Sequence, residues 1–167
     1  MSPLVLPILF IMFDIVLLYF VLTGAPYMPT RREGIERIMA LCEIKPGDKA
    51  ADIGSGDGRI VIALAKAGAE AHGYEINPIL VWWSRKKIRD AGLAGKAFIH
   101  QKNLWTVDFS PYQAVTLFGV THIMRALEKK LRRELPPGAR AVSLEFRFPT
   151  WPVARNIGRV YVYEQPT

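Results

Sequence analysis

Residues 49–66 read KAADIGSGDGRIVIALAK, and this stretch decides the fold. Lys49–Ile53 is short, mostly apolar and followed at once by glycine, the pattern of a buried strand. Arg59–Lys66 returns apolar residues at helical spacing. Between them Gly54, Gly56 and Gly58 alternate with Ser55 and Asp57. A glycine-rich turn between strand and helix sits at the carboxyl edge of an open α/β sheet, where such folds bind ligands. Glycine lets the backbone approach a ligand closely, and the helix that follows presents unpaired N–H groups to an anion.

One spacing selects the ligand. A dinucleotide fingerprint would put its third glycine at position 59, but that residue is Arg59 and the third glycine is Gly58. The pattern is D-x-G-x-G-x-G, with Asp52 at the strand's end. A carboxylate there repels a pyrophosphate and attracts an ammonium such as the amino group of a methionine. Glu75 closes the next strand, where a carboxylate can accept both hydroxyls of a ribose, with Ile76 beside it. Asn103 and Leu104 follow the third strand. Asn103 is placed to bond an adenine amine and Leu104 to cover a face of the base.

Working outward, apolar strands and helices alternate. Strands are expected at Lys49–Ile53, 70–76, Ala97–Gln101, Ala114–Phe118, 140–146 and 158–164. Helices are expected near Arg59–Lys66, 78–91 and 121–135, the second stopped at Gly92 and the third by Pro136-Pro137-Gly138. Upstream, Thr30-Arg31-Arg32-Glu33 matches a capping box, with apolar residues at helical spacing behind it. This alternation predicts a Rossmann-like α/β fold, a mainly parallel sheet with helices on both faces. The chain is short after the fifth strand, so one edge strand is expected to be missing or irregular.

Residues 4–22 read LVLPILFIMFDIVLLYFVL. As a helix rising about 1.5 Å per residue this run spans roughly 28 Å, close to a bilayer's hydrocarbon thickness. It is apolar on all sides, and no basic residue precedes it as in a signal peptide. The expectation is one N-terminal transmembrane helix in residues 1–26, anchoring a domain in 27–167. Asp14 implies a protonated side chain or a partner helix, hence self-association through the anchor. Arg31 and Arg32, just beyond, place the domain on the cytoplasmic side, or the matrix side in an organelle.

The chain carries a net charge of +7, and Asp14 is the one charged side chain among its first thirty residues. Such an excess suits nucleic acid, an anionic membrane surface or an acidic protein. The anchor makes nucleic acid the least favoured. Two basic runs, residues 85–89 beside Trp82 and Trp83 and residues 129–133, are solvated helix faces or headgroup-docking surfaces. No residue spacing matches a metal site. Cys42, the sole cysteine, has no partner for an internal disulfide.

Taken together, these residues resemble a class I, seven-strand-type methyltransferase. Closer matches lie at Tyr27-Met28-Pro29-Thr30, residues 51–59, Asn103-Leu104-Trp105, residues 117–120, residues 127–138 and Arg147-Phe148-Pro149-Thr150-Trp151. They resemble a small family of membrane-anchored protein-lysine methyltransferases, whose mitochondrial members modify the adenine nucleotide translocase and the c-ring protein of ATP synthase. The resemblance implies S-adenosylmethionine as cofactor and protein lysines as substrates. It places Tyr27 and Thr30 in a segment that helps close the cofactor site, Tyr27 within reach of the chemistry. It assigns Asp52, Gly54, Ser55, Gly56 and Gly58 to the cofactor loop and Glu75 to the ribose. Asn103 departs from the usual aspartate, though its amide oxygen can still accept from the adenine amine.

Methyl transfer is an in-line displacement governed by positioning. A lysine, with a pKa near 10.4 in water, must first lose a proton, which a water-poor pocket favours. Phe118, His122, Phe148 and Trp151 are the candidates to line it, Phe118 touching the cofactor as well. His122 is a candidate proton acceptor; its plainer role is to decorate the start of a helix. After the fourth strand stands Phe118-Gly119-Val120-Thr121 in place of the Asn-Pro-Pro-aromatic motif of enzymes acting on base amines. A lipid, a quinone or another amphiphile would explain the anchor equally well. A non-catalytic adaptor would not require Asp52, the three glycines and Glu75 all in place.

Overall fold

A computed structural model describes residues 5–23, 28–119 and 121–167, with the backbone alone for 15–23. The elements run α1 (Val5–Thr23), α2 (Arg32–Cys42), β1 (Lys49–Ile53), α3 (Arg59–Lys66), β2 (Glu70–Glu75), α4 (Pro78–Asp90) and β3 (Ala97–Gln101). A 3-10 turn at Leu104–Thr106 leads to β4 (Ala114–Phe118), α5 (Met124–Glu134), β5 (Arg140–Leu144), β6 (Arg155–Ile157) and β7 (Val160–Glu164). The seven strands form one sheet in the order β3-β2-β1-β4-β5-β7-β6. β1 to β5 are parallel, and β7 runs antiparallel to both β5 and β6. This is the Rossmann-like, mainly parallel sheet that the alternation of strands and helices predicts.

β1 lies between β2 and β4 and is buried on both faces from Ala50 to Ile53. A mostly apolar strand suits that position, since neither face of a central parallel strand meets water, and Asp52 is its one buried charged residue. On one face α2, α3 and α4 supply Ile38, Leu41, Ile60, Leu64, Val81 and Ile88. The other face is covered by Met124, Leu127 and Leu131 of α5 and by irregular segments bearing Phe109, Tyr112, Phe148 and Trp151. Helices therefore flank both faces, but unequally. Cys42 is buried, and burial with the charge of Asp52 pushes its thiol up to about 12, which makes it inert.

Several boundaries differ from expectation. β2 ends at Glu75, β5 at Leu144, and β7 begins at Val160. α5 begins at Met124, with Ile123 at its N-cap and no side chain capping it. The capping box does not form: Arg31 is the N-cap of α2 and makes no side-chain cap, because Thr30 is buried and turned to other work. The expected irregular edge strand is β6, exposed at all three residues.

Among the described residues no helix is long and apolar enough to cross a membrane. The side chains of α1 are described from Val5 to Asp14 only, and ten residues rise too little for a span. The expectation of a transmembrane helix thus has no support from these residues. From Leu6 to Phe13 its large apolar side chains are 55–74% exposed, and none of its described side chains, Val5 to Asp14, belongs to the two buried clusters.

Candidate active site

The carboxyl ends of β1, β2, β3, β4 and β5 converge on one edge, and the glycine loop closes it. Gly54, Gly56 and Gly58 all adopt left-handed angles, φ 70, 53 and 78. A side chain at those angles would be strained. A Cβ built on Gly54 would meet nothing within 4 Å, so the space above it is open to a ligand. The loop is pinned from below: the N–H groups of Gly54 and Ser55 both donate to the Tyr74 carbonyl, at 2.9 and 3.1 Å.

Glu75 holds the loop from the side. Gly56 N–H donates to its Oε2 at 2.9 Å, while Ile76 and Asn77 N–H donate to Oε1, both at 2.8 Å. The ribose acid anticipated from its place in the chain is thus also the clamp that sets the loop's shape. An oxygen bound by a single N–H keeps accepting capacity for a hydroxyl. Ile76 is exposed beside it.

Asp52 sits beneath the loop, only 2% exposed. Thr116 Oγ1 donates to its Oδ1 at 2.6 Å. Burial pushes its carboxyl up to about 7, opposed by the Thr116 hydrogen bond and helped by the charges of Glu75 and Asp57. A buried carboxylate with like charges nearby is a place prepared for a cation. Ser55 behaves otherwise. Its Oγ is buried without a hydrogen-bond partner and points under β2, where a Cβ on Gly73 would lie 2.7 Å from it. Gly73 is glycine because Ser55 and Ile99 occupy that space. Ser55 therefore serves the site through its backbone.

Asn103 is exposed, and its Oδ1 accepts from Trp105 N–H at 3.1 Å, capping the 3-10 turn. Leu104 is half-buried next to it. Thr30 is buried, and its carbonyl accepts from Arg59 Nη1 at 2.8 Å. Tyr27 lies outside the described residues. His122 is exposed in the turn before α5, beside the edge but joined to nothing in the loop.

Two aromatic expectations are corrected. Phe148 and Trp151 are 4% and 5% exposed, with ring centroids 4.8 and 5.6 Å from that of Tyr163. Phe148 N–H donates to Tyr163 Oη, and Trp151 Nε1 donates to the Glu164 carbonyl. They bind the segment after β5 to β7 and keep almost no surface for a substrate. The ring that Phe118 does meet is Phe146, 6.1 Å away, both half-buried at the ends of β4 and β5. Phe146 was hidden in the sequence because it reads as the last residue of a strand. In the structure β5 stops at Leu144, and Glu145 takes φ 71 while Phe146 N–H donates back to the Leu144 carbonyl. That tight, strained turn swings Phe146 toward Phe118.

Two grooves, of about 340 and 310 Å³, lie elsewhere. One is on α5 between Arg125, Glu128, Arg132 and Thr150, the other along β3 between Arg85, Phe98 and His100. Neither touches the glycine loop. The loop's edge remains the better site because it alone gathers open backbone, a buried acid and a clamped carboxylate at strand ends.

Known proteins share this chain's sequence and fold. The ANTKMT methyltransferase domain matches residues 52–155. A human lysine N-methyltransferase of the ATP synthase c-ring protein is 43% identical over 146 residues, 85% of this chain and 62% of that protein. A protein-lysine N-methyltransferase of Saccharolobus islandicus is 37% identical over 128 residues, 75% of this chain and 80% of the relative. Among solved structures, an RNA methyltransferase from Salinibacter ruber in complex with S-adenosyl-L-homocysteine superposes with a TM-score of 0.80 at 34% identity. That match covers 83% of this chain and 94% of the other. The chain spans less than two thirds of the human relative's length. It belongs to the ANTKMT methyltransferase domain family, within the S-adenosylmethionine-dependent methyltransferases of Rossmann-like fold.

Proposed function

We propose that this protein methylates the ε-amine of lysines in proteins lying in or beside a membrane. The observation that carries the reading is the likeness to a protein-lysine N-methyltransferase that the chain matches over 80% of its length. The residues at the strand ends fit the cofactor. Asp52 would take the amino group of its methionine part, Glu75 the ribose hydroxyls, and Asn103 with Leu104 the adenine. S-adenosylmethionine, when bound, supplies an electrophilic methyl group. Phe118 and Phe146 offer an apolar, water-poor flank to a lysine stem, and desolvation there lowers the amine's affinity for its proton. His122, at the solvent side of the same edge, would pass that proton outward.

The membrane part of the reading rests on the sequence of residues 4–22 and on the solvent-facing apolar side chains of α1. An anchor there, with Arg31 and Arg32 beyond it, would hold the domain at the cytoplasmic face. The test is transfer of radiolabelled methyl groups into membranes, followed by separation of protein, lipid and RNA. Label in protein, released as methyllysine on hydrolysis and absent with Asp52→Ala folded protein, is the expected result. Label confined to lipid would establish the amphiphile reading. Label confined to RNA would assign this chain the substrate class of the Salinibacter relative.

A further inference from the structure

Arg59 opens α3, the one place on a helix where a cation is electrostatically unwelcome, since the N-terminus carries the positive end of the dipole. Its partners explain it. Nε and Nη2 donate to the two oxygens of Asp57, both at 2.8 Å, and Nη1 donates to the Thr30 carbonyl at 2.8 Å. Asp57 is 2% exposed and also accepts from Lys87 Nζ at 2.6 Å. Although burial alone would raise its carboxyl, the hydrogen bonds from Arg59 and Lys87 hold it down at about 2. Asp57 therefore stays ionised and keeps the guanidinium in one orientation, with Nε and Nη2 on the loop and Nη1 directed upstream to Thr30.

What that arm holds is the entrance to α2. Thr30 is buried, and its Cγ2 lies 2.9 Å from where a Cβ on Gly34 would stand, so the turn into α2 packs tightly behind it. Asp57 stands between Gly56 and Gly58 of the loop. We propose that Arg59 is a positioning residue: a strap, held by Asp57, that ties the segment before α2 to the cofactor loop so that both close over the methyl donor together. It touches no reacting atom. A lysine in its place could neutralise Asp57 but could not grip both its oxygens and the Thr30 carbonyl at once. The role rests on the assignment of the glycine loop to S-adenosylmethionine.

The test measures S-adenosylhomocysteine binding by calorimetry and amide exchange of residues 28–42 in the full-length protein. In wild type, ligand should slow exchange in that segment. In Arg59→Met, affinity should fall about tenfold, the size of one charge-assisted hydrogen bond. Its ligand-dependent protection of 28–42 should vanish while ligand-free exchange of the central strands is unchanged. Arg59→Lys should recover part of the affinity and none of the protection. Lys87→Met removes the other cation from Asp57 and leaves the Thr30 contact, so its affinity should stay within about twofold. Should Arg59→Met not fold, Arg59→Lys against Lys87→Met decides alone. Equal protection in all variants would overturn the strap, whereas a wild type that binds no ligand would overturn the cofactor assignment beneath it.

Discussion

At the scale of single residues, Asp52 sets the sharpest expectation. Its folded carboxyl titrates at about 7 against an ordinary 3.8. The folded state thus holds a proton that the unfolded chain has already released. Stability contributed by this group is greatest at low pH, declines as pH rises from 3.8 toward 7, and is lost above. An ammonium partner reverses the preference, because it pairs with the carboxylate alone. Below pH 7 binding must expel the proton, so affinity for S-adenosylhomocysteine should fall up to tenfold per pH unit. Calorimetry near pH 6 in two buffers of different ionisation enthalpy should show proton release, and Asp52→Asn should abolish it. Identical heats in both buffers would remove Asp52 from the site. Asp52, the glycines and Glu75 were legible in the sequence because the loop's chemistry is local. Arg59 was not, since its bond to Thr30 joins positions 29 apart. Phe148 and Trp151 misled because an aromatic residue after a strand reads alike whether it lines an opening or fills a core.

At the scale of elements, β1, β3 and β4 have the bounds expected of them; β1 and β4 are buried on both faces and so have abrupt ends in composition, while β3, at the sheet edge, alternates buried and exposed residues. The ends of β2 and β5 were overextended, as Ile76 and Phe146 are apolar residues beyond the last paired position. β6 carries a single apolar residue, Ile157, and is exposed, held by pairing to β7 and by the ion pairs of Arg155 with Glu43 and Glu164. The β2–β3 pair adds a feature that pattern reading treats as ordinary. His72 Nδ1 and His100 Nε2 are 2.9 Å apart, and His72 Nε2 lies 3.0 Å from Glu70. The two rings stack with centroids 5.2 Å apart. Burial lowers the pKa of His100 below 6.5, with the charges of His72, Lys102 and Arg85 adding to it. The unfolded chain therefore takes up a proton first as pH drops through 6.5, and this pair loses stability on acidification. Asp52 acts in the opposite sense over the same range, so the comparison must be between proteins, not between pH values alone. His100→Gln should be less stable than wild type at about pH 7.5, where it loses a hydrogen bond, and the gap should narrow toward about pH 5.5. Urea midpoints of both proteins across that range check it, and a gap independent of pH would mean that His100 contributes no titration.

At the scale of the whole molecule, the charge and the apolar surface are segregated. The first thirty residues carry one charge, that of Asp14, and the rest of the chain a net +8, while α1 shows solvent a continuous apolar surface from Leu6 to Phe13. A soluble domain rarely leaves so much contiguous apolar side chain uncovered. None of the described α1 side chains belongs to either buried cluster, so the domain's stability should be indifferent to changes among residues 5–14. Ile11, 57% exposed, separates the two roles. If α1 is the proposed anchor, a lysine near its middle costs about 2.5–3.5 kcal/mol on insertion scales, added to the cost of Asp14. Ile11→Lys should therefore shift the protein from the carbonate-resistant membrane fraction to the extractable one. Its thermal midpoint and its affinity for S-adenosylhomocysteine should remain those of wild type. Methylation of a soluble lysine peptide should also persist, while methylation of proteins in added membranes falls with the loss of attachment. If the substituted protein stays in the pellet, α1 is not what holds it there. If instead the domain unfolds, α1 is part of the fold, and its exposed face covers against the protein rather than against lipid.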